Sequence, residues 1–362
     1  MARMLMQGNE AIGKAAIIAG CKAFFGYPIT PQNELPAYMA EHLPKAGGVF
    51  LQAESELAAI NMVYGAAGAG ARVMTSSSSP GISLKQEGIS YLAGAELPCV
   101  IANVMRCGPG LGGILPAQAD YFQAVKGGGH GDYRLLVLAP ASVQEMADLT
   151  VLAFELADEY RNPVMLLTDG MIGQIMEPVE FQRLESQASI PQKPWATTGA
   201  LGRPRNVINS LYIDPQVLED RNRRLQSKYA QMKAKEVRYA EYRAEDAELL
   251  LVAYGSMARV ARSVVDWGRA QGWPLGLLRP ITLFPFPEEA LLQRAQQVSS
   301  LLVLEMSAGQ MVEDVRLAVK ESCPVRFYGR MGGVIPTSRE IIGQVESVLS
   351  GLKGGAPDVS NL

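Results

Sequence analysis

Gly26-Tyr27-Pro28-Ile29-Thr30-Pro31 is the stretch on which the fold turns. Before it, from Gly8 to Phe25, Ala11, Ala15, Ile18 and Ala19 fall at helical spacing. Phe24, Phe25 and Tyr27 then read as a strand whose end delivers Pro28–Pro31 into a loop. Neither proline can sit in a helix interior, and each biases the residue before it toward extended geometry. Pro31 is expected to start a new helix, with Thr30 as its N-cap.

Farther along, Glu54-Ser55-Glu56 opens a helix of very small residues, Leu57 to Ala71. Thr75-Ser76-Ser77-Ser78-Ser79-Pro80-Gly81 follows and reads as a loop with almost no side chain. Apolar walls, bare backbone and few placed polar groups describe a cleft for a cofactor that carries the hard chemistry itself. Leu97–Val104, Leu135–Leu138 and Pro163–Leu167 are continuous apolar runs, the pattern of buried parallel strands. Ser142–Glu159 reads as a helix, with Ser142 and Glu145 in capping-box spacing. The first 180 or so residues therefore read as one doubly wound α/β domain.

Around residues 180–215 composition shifts to Gln, Pro, Asn and Ser. Asp220 to Glu245 reads as a charged helix with a narrow apolar stripe of Leu225, Tyr229, Met232 and Tyr239. Acids interleave its Arg and Lys residues, so the run is a solvated face. A second, smaller α/β pattern begins at Glu248, with strands at Leu249–Ala253, Gly276–Leu278 and Leu301–Leu304 and a helix through Gly268.

The net charge of −3 gives no electrostatic case for nucleic acid. No apolar run is long and clean enough for a bilayer, and the first residues lack a signal-peptide core, so a cytoplasmic location is expected. Cys21, Cys99, Cys107 and Cys323 form no C-x-x-C pair. They are expected to be buried thiols, with no metal cluster in this chain.

GYPITP, the QAESELAAINMVYGAAGAGARVMT segment, SSPG and Val104-Met105-Arg106 before a glycine-proline loop resemble the alpha subunit of the 2-oxoacid:ferredoxin oxidoreductases. The resemblance runs from about Gln7 to Pro178. It resumes in AYGSMARVA and LEMSAGQM within Leu249–Gln310. It is strongest to the branched-chain, 2-oxoisovalerate type. It implies a thiamine-diphosphate-type doubly wound pyrimidine domain at 1–190, a linker with a charged helix at 191–245, a transketolase-C-terminal-like α/β domain at 246–350 and a tail at 351–362. It also implies oxidative decarboxylation of a 2-oxoacid to an acyl-CoA, with electrons passed to ferredoxin.

Site residues follow from the same resemblance. Thiamine diphosphate is activated when a carboxylate hydrogen-bonds its pyrimidine ring. Glu56 falls on that glutamate, with Glu54 as competitor; an ordinary helix N-terminal acid is the plain alternative. Arg106 falls on the arginine that binds the 2-oxoacid carboxylate, and Thr30 on a threonine touching the same end. A surface salt bridge and a helix cap are their plain alternatives. Pro28, Ile29, Ser79 and Gly81 are expected at the cofactor. Cys107 stands where many relatives have glycine. No Gly-Asp-Gly segment with a following Asn is present to hold Mg²⁺ and the diphosphate. Those groups and the nearest [4Fe-4S] cluster are then expected on a beta subunit, with gamma and ferredoxin-like delta subunits completing the complex and CoA as co-substrate. Two alternatives remain open: a non-catalytic assembly or regulatory subunit on the same fold, and a dinucleotide-binding oxidoreductase using Gly108–Gly113 as G-x-G-x-x-G. His130, in a glycine loop, is a minor catalytic candidate.

Overall fold

The structure, a computed structural model, describes residues 3–185 and 190–354. Seven strands make its larger sheet. In spatial order they are Thr282–Phe284, Leu136–Leu138, Pro163–Asp169, Cys99–Met105, Val73–Ser77, Ala23–Gly26 and Val49–Gln52. All but Thr282–Phe284 run parallel. Every residue of Cys99–Met105 and of Pro163–Asp169 is buried, which is why these segments are apolar without alternation. Two helix pairs cover the sheet: Gly8–Ile18 with Val143–Tyr160, and Glu56–Gly68 with Ser79–Gly94.

Ala23–Gly26 lies between Val49–Gln52 and Val73–Ser77. The chain leaves it toward one edge and then crosses back to its other side. Strand order reverses here, and the carboxyl ends of strands at such a point form a crevice where ligands bind in open α/β sheets. GYPITP follows one of these strand ends and Ser78–Gly81 the other. Helices Glu56–Gly68 and Ser79–Gly94 approach closely at Gly88, where a Cβ would stand 2.5 Å from Ile60 Cγ2. That approach brings the two helix N-termini together over the crevice.

The smaller sheet orders Val325–Gly329, Ser300–Glu305, Leu249–Val252, Leu275–Pro280 and Tyr239–Tyr242, the last antiparallel. Side chains alternate between two cores. Leu249 and Leu251 pack with Met257, Val264 and Ile341, whereas Leu250 and Val252 join the core of the larger sheet. The two halves are further tied by polar contacts from the AYGSM and LEMSAGQM segments. Ser256 Oγ donates to Asp169 at 2.7 Å, and Gln118 bridges the Tyr254 carbonyl (2.9 Å) and the Met306 amide (3.0 Å).

Several expectations are corrected. Thr75–Gly81 is not a loop: Val73–Ser77 is a buried strand and a helix begins at Ser79, because small hydroxyl residues fit between close-packed neighbours. Thr30 does not cap a helix. The next helix is Glu34–His42, and residues 29–35 make turns in which Gln32 N–H donates to the Ile29 carbonyl at 3.1 Å. The Pro31 carbonyl is held instead by Asn9 Nδ2, at 2.9 Å. The charged helix is Pro215–Lys235, with Leu225, Tyr229 and Met232 buried, and Tyr239 belongs to a strand. Residues 355–362 of the expected tail lie outside the described residues, and the helix Ser338–Gly354 takes in the rest.

Candidate active site

Glu56 is the first residue of its helix, and Ser55 caps that helix by accepting from Ala58 N–H at 3.1 Å. The helix macrodipole favours a carboxylate here. Glu56 is only 6% exposed, while Glu54 is exposed, so the two acids part company in the fold. No donor among the described residues lies within hydrogen-bond distance of the Glu56 carboxylate. The bare backbone of Gly81 packs directly against it: a Cβ there would stand 3.0 Å from Glu56 Cδ and closer to Oε1 and to Ser77 Oγ.

Arg106 follows the Cys99–Met105 strand and is 7% exposed. Its Nη1 donates to the Thr30 carbonyl at 3.0 Å and its Nη2 to the Leu111 carbonyl at 3.2 Å. Its Nε is buried without a partner, and no carboxylate of the described residues is within ion-pair distance. The salt-bridge alternative is therefore not what the structure shows. A buried guanidinium satisfied only by carbonyls retains its charge for an anionic ligand. The structure thus brings Thr30 and Arg106 together, although through the Thr30 carbonyl; the Thr30 hydroxyl is 3.4 Å from Asn33 Nδ2.

Ser79 has a positive φ of 20° at the head of its helix. Its hydroxyl lies 2.7 Å from Asp120 Oδ2 and 3.0 Å from both the N and O of Arg106. Asp120 also accepts from Asn103 Nδ2 at 2.9 Å, and burial raises its carboxyl above the usual range. The Ser79 side chain therefore braces Arg106, and its backbone N–H donates to Asn103 Oδ1 at 3.3 Å. Pro28 is exposed and Ile29 half-buried on the rim. Asp120 and Asn103 were not anticipated, because only the tertiary fold brings them together.

A buried lysine was also missed. Lys85 is fully buried, and its Nζ donates to Thr75 Oγ1 at 2.5 Å and to the Ser76 carbonyl at 3.0 Å. Burial pushes its ammonium down from the usual 10.5 to about 7, against the attraction of Glu56. It sits four residues after Gly81, on the buried face with Ile82 and Ile89, so helical spacing carried the signal.

Other candidates lie elsewhere. His130 is exposed and packs edge-on against Tyr91, near the far end of the helix that begins at Ser79. Gly108–Gly113 forms an irregular loop and opens no helix, so it offers no dinucleotide phosphate site. The Cys107 thiol points at Gly113 and Gly333, within the contact between this loop and the smaller domain. All four cysteines are buried as free thiols, and no cluster of three metal-ligating side chains occurs among the described residues. A cleft of about 620 Å³, lined by Lys126, Arg134, Lys233 and Phe284 among others, opens between the halves but includes neither Glu56 nor Arg106.

Residues 14–244 match the family model described as "Pyruvate flavodoxin/ferredoxin oxidoreductase, thiamine diP-bdg", and residues 247–341 match "Pyruvate:ferredoxin oxidoreductase core domain II". The chain belongs to the 2-oxoacid:ferredoxin oxidoreductase family. Ketoisovalerate oxidoreductase subunit VorB of Methanothermobacter thermautotrophicus is 53% identical over 349 residues, 96% of this chain and 98% of that one. The 2-oxoglutarate:ferredoxin oxidoreductase from Magnetococcus marinus, solved with 2-oxoglutarate, coenzyme A and succinyl-CoA bound, superposes with a TM-score of 0.87 at 28% identity. That match covers 95% of this chain and 65% of the other. A split-gene transketolase, solved as an inactive β4 tetramer, superposes at 0.58 with 15% identity over 95% of this chain and 98% of that one, a likeness of fold alone. The expected fold class, a thiamine-diphosphate-type doubly wound domain followed by a smaller transketolase-C-terminal-like domain, is the one found. This family's relatives are subunits of larger oxidoreductases. No helix of the described residues is long and apolar enough to cross a membrane.

The site suits the pyrimidine half of thiamine diphosphate. Glu56 is buried, only a side-chain-free residue, Gly81, can pack against its carboxylate, and the Ser77 and Ser78 hydroxyls are buried without partners.

Proposed function

We propose that this chain is the alpha subunit of a cytoplasmic 2-oxoacid:ferredoxin oxidoreductase, preferring 2-oxoisovalerate and contributing the pyrimidine side of a shared active site. The observation that carries the proposal is a buried carboxylate and a buried, carboxylate-free guanidinium at one topological switch point. A non-catalytic subunit would have no use for either. The VorB relative, a ketoisovalerate oxidoreductase subunit, supports the substrate class.

Bound thiamine diphosphate would supply the carbanion chemistry that releases CO₂ from the 2-oxoacid. Glu56 would hydrogen-bond the pyrimidine ring and hold its proton where the cofactor needs it. Pro28, Ile29, Gly81 and the Ser79 backbone would shape the wall around that ring. Arg106 would bind the substrate carboxylate, with Thr30 beside it. CoA would take the acyl group, and two electrons would leave for ferredoxin.

The rest of the site would come from a beta subunit carrying Mg²⁺, the diphosphate contacts and a [4Fe-4S] cluster, with gamma and delta subunits beyond it. Exposed apolar side chains around the crevice support a covering chain: Leu57, Leu111, Ile114, Leu115, Met331 and Val334. In this division residues 1–190 form the pyrimidine-binding domain, 191–245 the linker and 246–350 the second domain.

The test is co-purification of the native complex and assay of 2-oxoacid- and CoA-dependent viologen reduction. Glu56→Gln in that complex should abolish turnover, with Glu54→Gln as control. Near-normal turnover by the Glu56 variant would refute its role.

A further inference from the structure

Lys85 is a buried cation that this mechanism leaves without a task. It occupies the space between helix Glu56–Gly68, its own helix Ser79–Gly94 and the strand Val73–Ser77. Its two hydrogen-bond partners, Thr75 Oγ1 and the Ser76 carbonyl, are neutral. No carboxylate of the described residues lies within ion-pair distance. A lone ammonium in such surroundings is costly, so a neutral side chain would be the simpler filler.

The titratable groups that face Lys85 are few. Glu56 attracts it from the adjoining helix. Cys99 faces it from the next strand, but burial raises that thiol to about 12, so it stays neutral. Asp120, at the head of the lysine's own helix, is occupied by Asn103 and Ser79. The same helix seats Gly81 against Glu56 and Lys85 one turn deeper.

We propose that Lys85 is a positioning residue for Glu56: its two hydrogen bonds fix the strand end beneath the carboxylate, and its buried positive charge draws the carboxylate toward the helix that carries Gly81. This rests on the role given to Glu56 above. The ammonium acts through space and touches neither cofactor nor substrate. A carboxylate that loses a nearby cation needs more alkaline solution to ionise, so removing the positive charge should raise the pH needed for full activity.

Two variants separate charge from structure. Lys85→Gln keeps a donor for Thr75 or Ser76 but has no charge, and Lys85→Met keeps only the bulk. In the assembled complex both should move the acid limb of kcat/KM to higher pH, by about half a unit or more. An acid limb unmoved in Lys85→Gln overturns the inference even if Glu56→Gln is inactive, whereas an active Glu56→Gln would overturn the Glu56 role itself.

A second readout needs no turnover. The folded-state value of Lys85 lies near 7 and its ordinary value is 10.5, so between these the unfolded chain binds more protons. The wild-type chain should then gain stability relative to Lys85→Gln as pH rises from about 7 toward 10, read as urea midpoints. In the Glu56→Gln background that gain should begin at lower pH, because the attraction that keeps Lys85 protonated is gone. An identical onset with and without Glu56 would show that the two groups are uncoupled and would sink the proposal.

Discussion

The α-carbon of Gly81 rests against the carboxylate of Glu56, so closely that a methyl group added to it would stand 3.0 Å from Glu56 Cδ. Glycine at this position is a condition of the carboxylate's placement. It has no special backbone angle to explain it, since Gly81 lies in regular helix.

Gly81→Ala should therefore damage catalysis more than folding. The new methyl would meet Glu56 Oε1 and Ser77 Oγ at once, and overpacking of this kind costs about 1–3 kcal/mol. Glu56 can relieve the clash by turning away, which is the movement catalysis cannot tolerate. Turnover by the assembled complex should fall at least as far as the urea midpoint would suggest, with Glu56 misplaced. A fully active, well-folded Gly81→Ala complex would show that the carboxylate's pose is unimportant.

Arg106→Ala should weaken 2-oxoacid use while leaving cofactor affinity alone. Loss of a charge-assisted contact costs on the order of 2–4 kcal/mol, roughly 30- to 1,000-fold in kcat/KM. Lysine should rescue poorly, because one ammonium cannot reach both the Thr30 and Leu111 carbonyls and a carboxylate as the planar guanidinium does. An unchanged kcat/KM for every 2-oxoacid tried would place the arginine outside the substrate site.

The legible parts of this site were those written in local chemistry. Pro28 and Pro31 mark the end of a strand wherever they occur, and Glu56 heads a helix with Ser55 before it. Thr30 was misread as a cap because the sequence cannot show that Asn9 holds the Pro31 carbonyl from another helix. Lys85 is legible in principle, since it shares helical spacing with Gly81 and Ile82, but the serine run reads as a loop to Gly81 and hides the start of the helix that carries it. Tyr239 reads as helical because the charge pattern continues past Lys235. Its pairing with Pro280, some forty residues on, is visible only in the fold. The tasks of AYGSM and LEMSAGQM were hidden for the same reason: Ser256 and Met306 act by reaching Asp169 and Gln118.

The isolated chain should bind neither thiamine diphosphate nor iron. Its crevice offers a carboxylate for the pyrimidine but no metal-ligating cluster among the described residues, and its cysteines stand apart. Calorimetry with thiamine diphosphate and Mg²⁺, together with metal analysis of the purified subunit, checks this. Micromolar affinity or stoichiometric iron would contradict a site shared between two chains.

A branched aliphatic 2-oxoacid should be used in preference to 2-oxoglutarate. A second carboxylate would need a second cation, and between Arg106 and Leu138 the only basic residues are Lys126 and Arg134. Lys126 is paired with Asp314. Arg134 donates to the Val125 carbonyl at 3.1 Å and stands over the Phe284 ring. Both line the cleft between the two halves, apart from Glu56 and Arg106. Around Arg106 the loop instead presents Leu111, Ile114 and Leu115, exposed and apolar. These suit methyl groups, which discriminate by only about 1–3 kcal/mol each, so pyruvate should react more slowly rather than not at all. The measurement is kcat/KM for 2-oxoisovalerate, pyruvate, 2-oxoglutarate and an aryl pyruvate in the assembled complex, with ferredoxin or viologen as acceptor. A preference for 2-oxoglutarate beyond about tenfold would mean that a partner chain supplies the missing cation, and the substrate assignment would fall while Glu56 and Arg106 kept their roles.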